Sequence, residues 1–115
     1  MLKKENRLVT DYEYSKVRRF GGRFKGTLFS IYYLDSKSYN NPSKFGIVVS
    51  NRFNKLAVKR NRVKRVFREV IRNNLGKIKN GYWIVIYPSK LSEEKGYEEV
   101  NAEFNNVLSK IPISA

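Results

Sequence analysis

Neither cysteine nor histidine occurs in this chain of 115 residues. Without cysteine there is no disulfide framework and no thiol chemistry. Without histidine the usual general base and the commonest nitrogen ligand for a metal are both missing. Acid is scarce as well: 10 Asp and Glu stand against 24 Lys and Arg. Those acids are dispersed, with Asp11, Asp35, Glu69 and Glu93 on separate segments, so no carboxylate cluster for a protein-borne nuclease centre is legible. Long apolar runs are absent too. The longest, residues 82–87, is far too short to span a bilayer. Residues 1–7 are charged and carry no signal-type apolar stretch. A soluble, cytoplasmic protein with no membrane partner is expected.

What remains is a folding chain with a large excess of one charge. Hydrophobic residues make up 41% of it, enough for one modest core, so residues 1–115 are read as a single domain. The net charge is +14. Self-repulsion at that charge disfavours the compact state, and an anionic partner relieves it. Nucleic acid is the commonest such partner for a small basic domain, ahead of a membrane surface. Eight tyrosines add apolar bodies with polar tips, suited to stacking on bases.

Thr10 and Glu13 form a capping-box pattern, which predicts a short helix ending at Gly21-Gly22, with Tyr14, Val17 and Phe20 apolar. Residues 27–34 read as a strand, with Phe29, Ile31 and Tyr33 on one face and Leu28, Ser30 and Tyr32 on the other. Residues 35–43 form a polar loop carrying the Asn40-Asn41-Pro42 turn signal. A second strand is expected at 45–50, as the hairpin partner of the first. A basic connection at 51–56 leads to a long helix over 57–74. A third strand follows at 82–87, closed by Pro88, then a polar connection at 91–96. The last helix covers 97–110, with Tyr97, Val100, Phe104, Val107, Leu108 and Ile111 on one stripe. This order suggests an α+β two-layer sandwich.

The long helix is the most informative segment. At about 100° per residue, Val63, Val66, Phe67, Val70 and Ile71 fall on one arc. Asn61, Lys64, Arg65, Arg68 and Arg72 lie opposite, with Arg62 beside them and Lys59 and Arg60 in the first turn. A solvated amphipathic helix would look similar at first sight. Such a surface interleaves signs, however, whereas Arg52 to Arg72 holds nine bases and the single acid Glu69. Arg60/Lys64, Lys64/Arg68 and Arg68/Arg72 are like-charge pairs, each costing roughly 0.2–0.5 kcal/mol. Bases also crowd the helix N-terminus, where the macrodipole disfavours cations and the free N–H groups favour phosphate. Charges placed against the helix's own stability point to a polyanion, and arginine adds bidentate phosphate contacts.

The string Lys59-Arg60-Asn61-Arg62-Val63-Lys64-Arg65, followed by Arg68-Glu69, resembles the signature of the bacterial ribonuclease P protein subunits. The resemblance extends to Asn6-Arg7-Leu8, Tyr14-Ser15-Lys16-Val17, the aromatic strand through Tyr32, and Gly46-Ile47-Val48-Val49-Ser50. It implies the element order αβββαβα, with an extra short strand around residues 23–26 and a left-handed βαβ crossover that nothing in the sequence itself shows. It also implies a ribonucleoprotein endoribonuclease that removes the 5′ leader of precursor tRNA. The hydrolysis would be performed by the RNA subunit with magnesium, with one protein per RNA and no metal site or catalytic residue on the protein.

By position, Arg52, Lys55, Lys59, Arg60, Asn61, Arg62, Lys64, Arg65, Arg68 and Arg72 would then contact the RNA subunit. Tyr14, Arg18, Ser30, Tyr32 and Val48 would line a cleft for the single-stranded leader. Core packing is the competing reading for Tyr14 and Tyr32. Two departures stand out. Arg18 occupies a position that is often aromatic in the family. The segment Phe53-Asn54-Lys55-Leu56-Ala57 lacks the usual glycine, which suggests that Asn54 takes the left-handed conformation instead. A ribosomal or other structural RNA-binding protein remains an alternative. A protein-only nuclease would need acidic ligands that the sequence scatters.

Overall fold

The computed structural model describes residues 4–37 and 40–113, so the charged start at 1–3 and the middle of the 35–43 loop, at 38–39, lie outside the described residues. The first helix, α1, runs Asp11–Phe20. Its capping box is formed: Thr10 Oγ accepts from Glu13 N at 3.2 Å, and Glu13 Oε1 accepts from Thr10 N at 3.0 Å. It ends where Gly21 donates to the Val17 carbonyl. A Cβ at Gly21 would lie 2.5 Å from the Tyr33 carbonyl oxygen, so glycine lets the chain turn tightly against the sheet.

Four strands form one mixed sheet: β1 Gly22–Lys25, β2 Phe29–Asp35, β3 Lys44–Ile47 and β4 Tyr82–Pro88. The helices α2 Ala57–Asn74 and α3 Tyr97–Leu108 complete the element order αβββαβα, with 3-10 turns at Lys4–Asn6, Leu75–Lys77 and Lys90–Glu94. The short strand implied by the resemblance is β1, one residue earlier than expected.

The strand order is β1-β2-β4-β3, which corrects the expected hairpin. β2 pairs antiparallel with β1 and β4, and β3 pairs in parallel with β4 and carries an isolated parallel bridge from Phe45 to Arg7. The physical reason lies in β4. Ile84, Val85 and Ile86 are all fully buried, and a strand apolar on both faces is most stable at the centre of a sheet. It therefore separates β2 from β3. A parallel β3–β4 pair needs a crossover, and α2 supplies it.

Helices cover both faces, so the expected sheet-and-helix sandwich carries an additional thin layer. On one face α2 and α3 seal the main core. Val63, Phe67, Val70 and Ile71 pack with Phe29, Ile31, Ile84 and Ile86 and with Val100, Phe104, Val107 and Leu108. Phe29 meets the Phe67 ring edge-on at 5.7 Å. Leu28, expected on the other face, precedes β2 and turns into this core. The last helix stops two residues early, yet Ile111 still packs beneath it. On the opposite face α1 covers a small cluster of only three fully packed residues, Leu8, Val17 and Val85. Tyr14, Tyr32, Val48, Trp83 and Tyr87 fringe it. Phe20, expected among the apolar positions of α1, points outward instead and is largely exposed.

Candidate nucleic-acid interface

α2 presents the basic face that its periodicity predicts. Lys59, Asn61, Arg62, Arg65, Arg68 and Arg72 are exposed, and Arg60 and Lys64 are half-buried. No acid lies in the first turn, and the N-cap is Leu56, which makes no side-chain cap. Yet the cations are not equivalent. Arg60 folds back, its Nη1 donating to the carbonyls of Asn54 at 2.8 Å and Lys55 at 2.9 Å. Arg62 Nη1 donates to the Glu93 carbonyl at 2.9 Å. Arg72 pairs with Glu69 at 2.8 Å. Three of the expected contact residues thus also hold the fold. Lys64, Arg65 and Arg68 make no hydrogen bond or ion pair among the described residues, which leaves them available to a partner; Lys59 makes none either, although its charge acts on the nearby Glu93 carboxylate.

The loop before α2 holds its shape without glycine and without a left-handed Asn54. Among the described residues the one non-glycine with positive φ is Lys37. Asn54 works through its side chain instead: Oδ1 accepts from Leu56 N at 2.9 Å, and Nδ2 donates to Glu93 Oε1 at 2.5 Å. Lys90 completes the clamp, bonding the Phe53 carbonyl at 2.6 Å and Glu93 Oε2 at 2.6 Å. The Lys90 hydrogen bond, then that of Asn54 and the nearby Lys90 and Lys59 charges, hold the Glu93 carboxyl below its ordinary range. Residues 91–96 read as a plain connection; the 3-10 turn there in fact clamps the loop at Phe53 and Asn54 and takes a bond from Arg62 near the start of α2.

The second region lies between α1 and the sheet. Here cross-strand rows bring side chains together. One row is Arg23, Tyr32, Val85 and Gly46; the next is Lys25, Ser30 and Tyr87. The Arg23 guanidinium sits 5.7 Å from the Tyr32 ring centroid, and Tyr32 meets Tyr87 edge-on at 5.4 Å. Tyr14 descends from α1 onto Gly46, where an added methyl would overlap the phenol ring. Val48 extends the β3 pairing by one bond, its N–H donating to the Ile86 carbonyl at 2.9 Å. Arg18 reaches the Tyr87 ring through its charge, which opposes the burial that raises the Tyr87 hydroxyl. The five residues expected in the cleft therefore converge, and the aromatics are fringe residues rather than sealed core.

Burial pushes the Tyr14 and Tyr87 hydroxyls above the usual phenol range; Glu13 and Tyr87 add to it at Tyr14, while Arg68 opposes. Both phenols are neutral donors at pH 7. Arg7 and Arg68 line a depression with Tyr14, Phe45 and Gly46, so a side chain from the basic helix reaches the cleft. Half-buried rings rimmed by Arg7, Arg18, Arg23 and Arg68 can stack unpaired bases and hold the adjoining phosphates. Sequence reasoning missed Tyr87, Arg23 and Arg7. Alternation along 82–87 carried the signal for Tyr87, since Trp83, Val85 and Tyr87 share a face opposite Ile84 and Ile86.

Among the described residues no three acidic, histidine or cysteine side chains come together as metal ligands. Asp11, Asp35, Glu69 and Glu93 sit on α1, β2, α2 and a 3-10 turn. No described helix is long and apolar enough to cross a membrane.

Comparison with known proteins places these features in context. A family model described as Ribonuclease P matches residues 2–112. The ribonuclease P protein component of Pseudanabaena sp. (strain PCC 6903) is 35% identical, covering 98% of this chain and 97% of that one. That of Clostridioides difficile (strain 630) is 34% identical over 108 residues, 93% of this chain and 92% of its own. The solved RNase P protein from Thermotoga maritima superposes with a TM-score of 0.81 at 28% identity, covering 92% of this chain and 97% of that one. The Staphylococcus aureus RNase P protein gives a TM-score of 0.84 at 19% identity, covering 96% and 98%, which speaks for the fold alone.

Proposed function

The chain belongs to the ribonuclease P protein family, and from that premise we propose that it binds the catalytic RNA through α2 and the 5′ leader of precursor tRNA through the α1–sheet cleft. As a ribonuclease P protein subunit it is one component of a ribonucleoprotein endoribonuclease. In this reading it assists 5′ maturation of tRNA, with one protein per RNA. The convergence of Arg68 from α2 and Tyr14 from α1 on one depression carries it. That junction makes the phosphate-binding face continuous with the aromatic cleft, so one protein can touch the RNA subunit and its substrate together.

The chemistry assigned to the chain is binding and orientation. Lys59, Lys64, Arg65 and Arg68 would neutralise phosphates of the RNA subunit, with the loop at 51–56 held in place by Glu93 and Lys90. Tyr14, Tyr32 and Tyr87 would stack leader bases, and Arg18 and Arg23 would hold their phosphates. The described residues offer no carboxylate cluster for magnesium. The proposal therefore leaves the ion and the hydrolysis to the RNA subunit and routes no step through the protein.

The test is reconstitution. The protein is added to a bacterial ribonuclease P RNA at low magnesium, and cleavage of precursor tRNA is followed. A gain in rate or substrate affinity is expected, and no gain sinks the proposal. Tighter binding of precursor than of mature tRNA separates this function from that of a structural RNA-binding protein.

A further inference from the structure

The outward face of α1 is uncovered and unusual for a solvated surface. Tyr12 and Phe20 are 66% and 70% exposed, and a depression between them is lined by Tyr12, Ser15, Lys16, Arg19 and Phe20. Eight residues at a rise of 1.5 Å set the two rings roughly 12 Å apart along the helix. That is about the span of three to four bases at the 3.4 Å stacking repeat. Lys16 Nζ lies 5.6 Å from the Tyr12 ring centroid and 5.8 Å from that of Trp83.

This face is joined to the cleft by shared residues. Ser15 and Arg19 also line the next depression along α1, together with Arg18. Arg18 in turn lies near enough to Tyr87, at the cleft, for its charge to act on the Tyr87 hydroxyl. A track of alternating rings and cations therefore leaves the cleft at Tyr87, passes Arg18 and Arg19, and reaches Phe20 and Tyr12.

Charge decides what fits the track. Lys16, Arg18 and Arg19 flank it, and of the α1 acids Glu13 is already engaged by Thr10 and Lys44. Exposed aromatics add nothing to the fold here, because neither ring enters a core cluster. Bases stack on such rings whatever their identity, while cations hold the phosphates between them. A protein partner would have to bury three cations against two rings, which costs desolvation with little apolar return.

We propose that the outward face of α1 is a second stacking surface for single-stranded RNA, taking the part of the leader that runs beyond the cleft. The inference rests on the reading of the cleft as the leader site. The leader then bends around α1 instead of ending at Tyr87, and longer leaders bind more tightly.

The experiment uses the reconstituted holoenzyme and two precursor tRNAs. One leader is just long enough to fill the cleft, and the other is several nucleotides longer. Tyr12→Ser with Phe20→Ser should weaken binding of the long-leader substrate by roughly fivefold or more for each base that loses its ring. Binding of the short-leader substrate should not change. Phe20→Tyr, which keeps a stacking ring, should behave as the parent, and a thermal melt checks that the double variant is folded. Equal affinity of the double variant and the parent for the long leader overturns the proposal, and so does an equal loss on both leaders. Dimers of the parent in sedimentation that the double variant abolishes would assign the face to a second copy and overturn it too. If the parent fails to distinguish precursor from mature tRNA, the cleft reading itself has failed, and this one with it.

Discussion

The two faces of the sheet are built from the same four strands and differ in what covers them. The face under α2 and α3 is sealed by aliphatic side chains and Phe29, Phe45, Phe67 and Phe104, each at most 2% exposed. The face under α1 has three fully packed residues and a fringe of half-buried Tyr and Trp rings with arginines at the rim. A ten-residue helix cannot cover a sheet that an eighteen-residue and a twelve-residue helix cover on the other side. The area it leaves open is where the aromatics lie. One face stabilises the molecule, and the other is left incomplete where a ligand can finish it.

The sharpest way to break this comparison is to carve each face in turn. Phe67→Ala on the sealed face should lower unfolding free energy by about 3–5 kcal/mol, measured by urea denaturation. On the open face, Tyr14→Ala should cost about 1–3 kcal/mol of precursor affinity, read as the precursor-to-mature-tRNA binding ratio. Its effect on stability should be clearly smaller than that of Phe67→Ala. Gly46→Ala displaces the same ring from below and should reproduce the binding loss. A larger unfolding effect for Tyr14→Ala than for Phe67→Ala would remove the distinction between the faces.

The basic helix divides in the same way, into cations that hold the fold and cations that are free. Binding to the RNA subunit should fall with log salt at a slope of roughly −3.5 to −4.5 if about five phosphates are neutralised. Lys64→Ala or Arg65→Ala should reduce that slope by roughly one, with an unchanged melting temperature. Arg60→Ala should also cost about 1 kcal/mol of stability, because it removes two hydrogen bonds to loop carbonyls. Equal melting temperatures for all three variants would mean that the Arg60 contacts do not stabilise the loop.

The smallest expected effect is on acid stability. At Glu13 burial alone would raise the carboxyl, but the hydrogen bonds from Thr10 and Val9 and the Lys44 charge outweigh it, and the group sits below its ordinary value of 4.5. Glu93 is lowered as well, chiefly by Lys90. A depressed folded-state carboxyl contributes stability above its unfolded pKa, and the contribution is lost as pH falls through the folded value. Melting temperature should therefore decline as pH drops below about 4.5, and Glu13→Gln with Glu93→Gln should flatten that decline.

Much of this was legible beforehand where the signal is local. The capping box marked the start of α1, and the apolar stripes of α2 and α3 predicted their buried faces, with Val66 and Tyr97 half-buried at the edges and Asn74 an unforeseen buried polar residue. The residues expected in the cleft are brought together. What was not legible depends on neighbours distant in the chain. β3 looked like the hairpin partner of β2, because the loop between them is turn-like. Asn54 looked like a replacement for glycine, because its real partner, Glu93, is 39 residues away. Tyr87 was hidden in a run that reads simply as apolar until one knows which face each residue takes.

The sequence by itself determined the three main helices, the strands β2, β3 and β4 but not β1, and the sign and crowding of the charge, because periodicity, capping and like-charge spacing act within a few residues. Tertiary structure decided which strand lies at the centre and which cations are occupied by carbonyls and carboxylates. It also decided that Arg68 and Tyr14, on different helices, meet at one depression. Those outcomes follow from burying β4 on both faces and from placing a short helix on one side of the sheet. Both are long-range packing choices that no local pattern encodes.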